Sequence, residues 1–495
     1  MSAPPPPDAT DATDATDATD ATDATAGGHD AVRAAAAGPA IAFAGPAALA
    51  RLHTLYRRLR AAGDLPLVPS GSLVRVRGLI LEAQGLDLSL GSRCLIGAEG
   101  QRRISAEVVG FHGDNVQLMA SGDMQGLAPG ARVMPVPGDL RLPAGLELCG
   151  RVLDADARPL DRLGPLLAGD FTSLSTPPIN PLERALVRQP LDVGVRAINA
   201  LFTVGRGARM GLFAGSGVGK SVLLGMMARN TDADVIVVGL IGERGREVKE
   251  FIEDILGAEG LRRAVVVAVP ADAPALSRIR GARLATALAE YYRDQGLHVL
   301  LLMDSLTRYA LALREVALAA GEPPAARGFP PSVFARLPAL VERAGNGRDG
   351  GGSVTAFYTI LMEGDDQQDP VADNTRAILD GHIVLGRRLA EQGHFPAIDL
   401  QASISRVMPA LADAEQLRRV YRLKELESRY AAQQDLIAVG AYTPGSDPVL
   451  DQAVQAHAAI SQFLRQGMRE AVDLATSRVL LAQLMAPYLP AAAAA

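Results

Sequence analysis

The chain has 495 residues, too many for one ordinary hydrophobic core, which predicts two or three domains and excludes a lone small binding module. Apolar residues make up 48% and charged residues 21%, so most of the chain is expected to fold, and two cysteines, Cys94 and Cys149, are too few for a disulfide framework or an all-Cys zinc site. The net charge of −6 belongs to residues 1–30, which hold seven Asp and no Lys or Arg; residues 31–495 carry 49 basic and 48 acidic side chains, which gives no electrostatic footprint for bulk nucleic-acid or membrane binding.

Residues 8–25 are six copies of Asp-Ala-Thr, and the sequence stays rich in Ala and Gly to about Pro46. Too few large apolar side chains lie there to offset the entropy of ordering the chain, so residues 1–46 are expected to be a disordered low-complexity tail. This polar start lacks the order of a secretory signal, and no apolar run approaches the roughly 18–20 residues of a spanning helix. A cytoplasmic protein is expected. Residues 47–153 read as one amphipathic helix, with Leu49, Leu52, Leu55, Tyr56 and Leu59 at helical spacing over 47–61, followed by a small β-barrel. The barrel rests on short glycine-punctuated runs such as Leu73–Gly78, Ala106–Gly110 and Asn115–Met119.

Past the proline-rich joint at residues 176–181, the runs Arg209–Phe213, Asp234–Leu240, Ala264–Val269 and His298–Met303 read as buried strands with helical stretches between them. That alternation predicts a mainly parallel, doubly covered sheet over 154–412. From Asp413 to the C-terminus the period is helical, with a break at residues 443–448, which predicts a C-terminal helical domain over 413–495.

Ala214-Gly-Ser-Gly-Val-Gly-Lys-Ser221 lies between the first of these strands and a helix beginning near Lys220, in the order of a phosphate-binding loop. Its backbone, from Gly215 and Ser216 through Gly217, Val218 and Gly219, would cradle phosphates, Lys220 would reach the β/γ-phosphates, and the Ser221 hydroxyl would ligate Mg²⁺. An ordinary glycine-rich turn is the alternative. Composition speaks against it, because only Lys220, Lys249 and Lys424 among the 49 basic residues are Lys, and a compact ammonium stands where the loop needs one. Asp304, at the end of the strand His298–Met303, is placed either as the acidic partner of Mg²⁺ or as the N-cap of the next helix. Glu243, after Asp234–Leu240, is either the carboxylate that orients the attacking water or one charge of a solvated loop.

The run Gly211-Leu-Phe-Ala-Gly-Ser-Gly-Val-Gly-Lys-Ser-Val-Leu-Leu-Gly-Met-Met-Ala-Arg229 resembles the flagellar export ATPase of the type III secretion family, as do residues 242–248, 303–310, 330–334, 341–345 and 363–370. The resemblance runs from about Ser72 to the C-terminal helices and implies a RecA-like α/β ATPase core, similar to the catalytic subunit of rotary ATP synthases. By that similarity Glu243 is the catalytic glutamate, and Arg244 and Arg308 line the phosphate site. Ser403-Ile-Ser-Arg406 matches the motif from which a neighbouring subunit receives its arginine finger, Arg406, though a surface charge is the plain alternative. Phe395 matches the position that stacks on adenine, against the alternative of a core phenylalanine. The resemblance further implies ATP and Mg²⁺, a homohexamer, and partners in a flagellar export stator, chaperones, export-gate proteins and export substrates, with peripheral association at the inner-membrane export apparatus. The role of the Asp-Ala-Thr tail is not part of it.

Three rivals share the core: a virulence injectisome ATPase, a rotary synthase catalytic subunit and an RNA translocase. The last needs stacking aromatics on its barrel, and residues 67–153 hold one aromatic, Phe111, so no nucleic-acid partner is expected.

Overall fold

The computed structural model describes residues 53, 54, 56, 57, 69–97, 103–136, 141–362 and 369–489. The tail expected over residues 1–46 lies outside the described residues. Of the helix expected over 47–61, residues 53, 54, 56 and 57 are helical, and the remainder lies outside them as well.

Strands β1 (Gly71–Arg77), β2 (Ile80–Gln84), β3 (Arg93–Ile96), β4 (Ile104–His112), β5 (Asn115–Ala120) and β6 (Arg132–Pro135) close into a barrel in the order β1-β2-β5-β4-β3-β6. Alternation sends Leu73, Leu81, Cys94, Ile96, Ala106, Val108, Leu118 and Val133 into its interior, a core of its own. Three strands follow, β7 (Arg141–Ala144), β8 (Val152–Leu153) and β9 (Asp170–Ser173). Strand β7 pairs with β9, whereas β8 becomes an edge of the central sheet. The barrel thus closes by Pro135, and residues 152–153, which the sequence analysis groups with it, pair in parallel with residues 266–267 of the central sheet. Two residues are too short for periodicity to assign. Arg280, almost wholly buried, bridges the two regions through Glu107 at 3.1 Å on β4 and Asp156 at 2.6 Å.

Next come β10 (Pro190–Leu191) and β11 (Val204–Gly205), a small ribbon, then β12 (Arg209–Ala214), β13 (Val235–Ile241), β14 (Ala264–Val269), β15 (His298–Asp304), β16 (Gly345–Asn346), β17 (Ser353–Leu361), β18 (Gly381–Leu385) and β19 (Ile404–Ser405). The central sheet runs β19-β18-β12-β17-β15-β13-β14-β8, with β16 attached to β17. Strands β8, β12, β13, β14, β15, β17 and β18 are mutually parallel, and β16 and β19 are antiparallel to their neighbours.

Every residue of β13 and β14 is buried, which is why those segments are continuous apolar runs rather than alternating ones. Alternate residues nonetheless serve two different cores. Leu212, Ile236, Val238 and Leu302 face the helix Lys220–Asn230 and the C-terminal helices, while Phe213, Val237, Val265 and Leu301 face the long helix Ala275–Asp294 and the helices that follow it. The C-terminal region consists of helices Ala414–Ala438, Pro448–Leu464 and Leu474–Met485, capped by Asp413, Asp447 and Asp473. Their buried Leu423, Leu426, Ile460 and Leu481 complete the first core. Because the sheet is parallel, β12, β13 and β15 end on one edge. That edge is where ligands bind open α/β sheets.

Candidate active site

Strand β12 ends at Ala214 and the chain turns through Gly217 (φ 78°) and Gly219 (φ 94°) before helix Lys220–Asn230 starts. Both values are left-handed and favour glycine, which is the local reason for the glycines of this loop. Val218 between them is buried and pins the loop to the core, while Ser216 and Gly217 are exposed. Lys220 and Ser221 are the first two residues of the helix, so the loop wraps a helix N-terminus, the electropositive end.

Asp304 is the last residue of β15 and is 2% exposed. Thr359 of β17 donates its hydroxyl to Asp304 Oδ1 at 2.7 Å, and the Lys220 ammonium contacts the same oxygen. The N-cap of the following helix is Ser305, whose Oγ accepts from the Arg308 amide, so the capping role considered for Asp304 falls to its neighbour. Glu243 stands two residues beyond the end of β13, after Gly242 (φ 74°). Its side chain is 12% exposed and Oε1 lies 3.6 Å from Lys220 Nζ, an ion pair too long to be a hydrogen bond. Oε1 is buried without a hydrogen-bond partner. Burial, and next the nearby Asp304 carboxylate, push the Glu243 carboxyl up to about 7 against the pull of Lys220. Lys220, Asp304 and Glu243 therefore form one cluster, assembled from the ends of three strands.

Of the other candidates, two lie beside it and two do not. Arg308 packs its aliphatic stem so closely over Gly242 that a Cβ there would come within 2.9 Å of Arg308 Cβ, and its Nε is buried without a partner. The Phe395 ring is 46% exposed, and its edge carbons stand 3.5 and 3.6 Å from where a Cβ on Gly219 would be. It is a ring on the rim of the phosphate loop rather than in the core. Arg244 extends to solvent, 79% exposed, and pairs with Glu247 at 3.0 Å, so the structure does not bring it into the cluster. Arg406 is exposed just past β19, its guanidinium donating to the carbonyls of Leu379 and Arg376 at 3.3 Å each. Strand β18 separates β19 from the loop-bearing β12.

Thr359 escaped sequence reasoning because a hydroxyl inside an apolar strand has no periodic signature; the signal that marks it is a buried Thr within the nine-residue run of β17. Lys424 carries a visible signal, its rarity in an arginine-rich chain, to which spacing attaches no role.

Three family models match the chain in succession: the ATP synthase alpha/beta family β-barrel domain over residues 73–136, the nucleotide-binding domain of the same family over 194–405, and the T3SS EscN ATPase C-terminal domain over 412–483. The flagellum-specific ATP synthase of Pseudomonas aeruginosa is 60% identical over 430 residues, 86% of this chain and 95% of that protein. Its counterpart in Salmonella typhimurium is 59% identical over 413 residues, 81% of this chain and 91% of that protein. Among solved structures, the assembled ATPase EscN from the enteropathogenic E. coli type III secretion system superposes with a TM-score of 0.79 at 42% identity, covering 84% of this chain and 99% of EscN. The same ATPase in complex with its central stalk EscO gives a TM-score of 0.77 at 41% identity, covering 84% and 99%. A buried Lys220, Asp304 and Glu243 cluster at the edge of a parallel sheet, a barrel before it, helices after it, and relatives matched over nine tenths of their length lead to one conclusion: the chain belongs to the flagellum-specific ATP synthase family.

Proposed function

We propose that the chain hydrolyses ATP with Mg²⁺ at composite sites between the subunits of a homohexamer, and that hydrolysis drives flagellar type III protein export. The single observation that carries the chemistry is the buried cluster of Lys220, Asp304 and Glu243 at the mouth of the phosphate loop.

The residues fit a magnesium ion. The Ser221 hydroxyl and the Asp304 carboxylate are hard oxygen donors, and Asp304 already holds a cation, the Lys220 ammonium. Among the described residues no group of three or more His, Cys, Asp or Glu could hold a metal by itself, which suits an ion bound through one or two protein oxygens and the substrate's phosphates. When bound, the ion supplies neutralisation of charge on the β- and γ-oxygens. The chain's own groups do the rest. The loop amides and Lys220 hold the phosphates, Glu243 orients and polarises the attacking water through the lone pairs of its unpartnered Oε1, and Arg308 adds positive charge beside Gly242. By resemblance Arg244 lines the phosphate site as well, although here its guanidinium pairs with Glu247. Phe395 stacks against the adenine, and the exposed Arg406 serves the site of the adjacent subunit, where charge builds in the transition state.

The flagellar assignment over an injectisome rests on the two flagellum-specific relatives at 60% and 59% identity, above the 41–47% to the solved type III secretion ATPases. Stator, chaperone and export-gate partners, and a place at the membrane export apparatus, follow from the same kinship; no helix among the described residues is long and apolar enough to cross a membrane. The proposed domains are a tail to residue 46, a helix and a barrel that closes by Pro135, an ATPase core that takes in β8 at residues 152–153 and runs to 412, and a helical domain beyond. Phosphate release by the full chain with ATP and magnesium tests the chemistry. Lys220→Ala is expected to abolish it with the fold intact, and normal turnover by that variant overturns the reading.

A further inference from the structure

Arg406 follows one of the shortest strands in the sheet. Only Ile404 and Ser405 pair with β18, in register with His382 and Gly381, so the position of Arg406 depends on what holds the two ends of this segment. At the far end the Arg406 amide donates to the Asp380 carbonyl at 2.9 Å, and the Ser405 hydroxyl donates to the Thr203 carbonyl at 2.8 Å. At the near end the Ser403 hydroxyl accepts from the Val384 amide at 2.9 Å, and the Ser403 carbonyl accepts from Lys424 Nζ at 3.1 Å.

Lys424 belongs to helix Ala414–Ala438 of the C-terminal region. Its ammonium also lies 4.5 Å from the centre of the Phe202 ring, next to Thr203, which receives Ser405. The helix is fixed around Lys424 by the fully buried Leu423 and Leu426, and two turns earlier by Gln416, whose amide donates to the Ala200 carbonyl at 3.1 Å. Burial lowers the lysine's pKa while the Asp399 carboxylate raises it. A compact ammonium with three donors can serve a carbonyl and a ring face at once, a geometry that the planar fork of arginine fits poorly. In a chain that otherwise uses arginine for nearly every cation, a lysine stands at this junction.

We propose that Lys424 is a positioning residue for Arg406: it ties the segment Ser403–Arg406 to the C-terminal helical region and so sets the guanidinium that serves the neighbouring subunit's site. The proposal rests on the interfacial reading of Arg406. It also gives the C-terminal helices a physical route to the chemistry, since a shift of helix Ala414–Ala438 moves the anchor of this segment.

Lys424→Met keeps length and apolar packing and removes the donor. Nucleotide binding and melting temperature are expected to stay near wild type, while turnover falls by up to about 100-fold, the scale of a misplacement near 1 Å. Mixed hexamers separate this from a defect in the variant's own site. A mixture of Lys424→Met with Glu243→Gln subunits should regain phosphate release, because Glu243→Gln subunits lend a correctly held Arg406 to sites with an intact Glu243. A mixture of Lys424→Met with Arg406→Ala should stay inactive, because neither subunit lends a working finger. If Lys424 serves its own subunit's site, the two results exchange places, and that pattern overturns the proposal. Wild-type turnover of Lys424→Met alone overturns it too. The mixture of Arg406→Ala with Glu243→Gln is run alongside: its failure to recover refutes the interfacial reading itself, and its recovery without recovery of the Lys424→Met mixture refutes only the role of Lys424. Should Lys424→Met fail to fold, Lys424→Gln, which retains one amide donor group, takes its place in each mixture.

Discussion

Glu243 is held in a setting that makes its charge consequential. Its carboxyl is nearly buried, faces the Asp304 carboxylate and the Lys220 ammonium, and leaves Oε1 without a hydrogen bond. A carboxylate deprived of water in this way gains from a substrate water that donates to it. Glu243→Gln keeps the shape and loses that charge, so turnover should fall by about 10²–10⁴-fold while fluorescent-nucleotide binding is retained. Loss of binding in step with turnover would give Glu243 a structural role instead. Phe395 makes a complementary case, because its ring offers an exposed face beside the loop. Phe395→Ala should weaken nucleotide binding by about 1–3 kcal/mol with little change in kcat, read from titration and steady-state kinetics. At this scale the positions of the loop residues, Asp304 and Glu243 were legible in the sequence, because each sits at the end of an apolar strand; what Asp304 and Glu243 do there was left open. The choice between magnesium partner and cap at Asp304 was not legible, since it turns on which of two adjacent residues, Asp304 or Ser305, faces the amide of Arg308.

Among elements, the segment leading into the central sheet shows how one carboxylate can organise a connection. Arg151 donates two bonds to Asp161, at 2.8 and 3.0 Å, and the amides of Val152 and Leu163 donate to it as well. The Arg151 hydrogen bond above all holds the Asp161 carboxyl down to about 2. A carboxyl depressed in the folded state stabilises above its unfolded pKa near 3.9, and that contribution is lost as pH falls from about 4 to about 2. Asp161→Asn should therefore lower the melting temperature at pH 7 by a few degrees, with the gap to wild type closing below pH 4. A gap that persists unchanged to pH 2.5 would show that the charge is not what stabilises this connection. Four strands of the sheet, β12 to β15, were readable from the sequence because burial on both faces makes them apolar runs, whereas β17, whose run Ser353–Leu361 includes Ser, Thr and Tyr, and the short β16, β18 and β19 were not read. Strand β8 was not, for two residues carry no period and its partner, β14, lies over a hundred residues away. The barrel strands were seen in part, because bulges inside β1 at Leu73–Arg75 and inside β4 at Val108–Gly110 break their alternation.

For the whole molecule, the proposed site draws on two separate edges of one chain. The phosphate loop, Asp304 and Glu243 gather at the strand ends, and Arg406 stands exposed beyond β18 and β19. The sequence could not show this separation, because the order of strands in the sheet is not their order in the chain. The proposed composite site would account for it, each subunit offering its cluster to one neighbour and Arg406 to the other. The most direct test mixes Arg406→Ala with Glu243→Gln subunits, each inactive alone, and measures phosphate release with ATP and magnesium. If the finger acts across the interface, some interfaces pair an intact Glu243 with an intact Arg406, and partial activity returns. If both residues serve the same subunit's site, every site in every mixture stays defective, and a flat baseline contradicts the account.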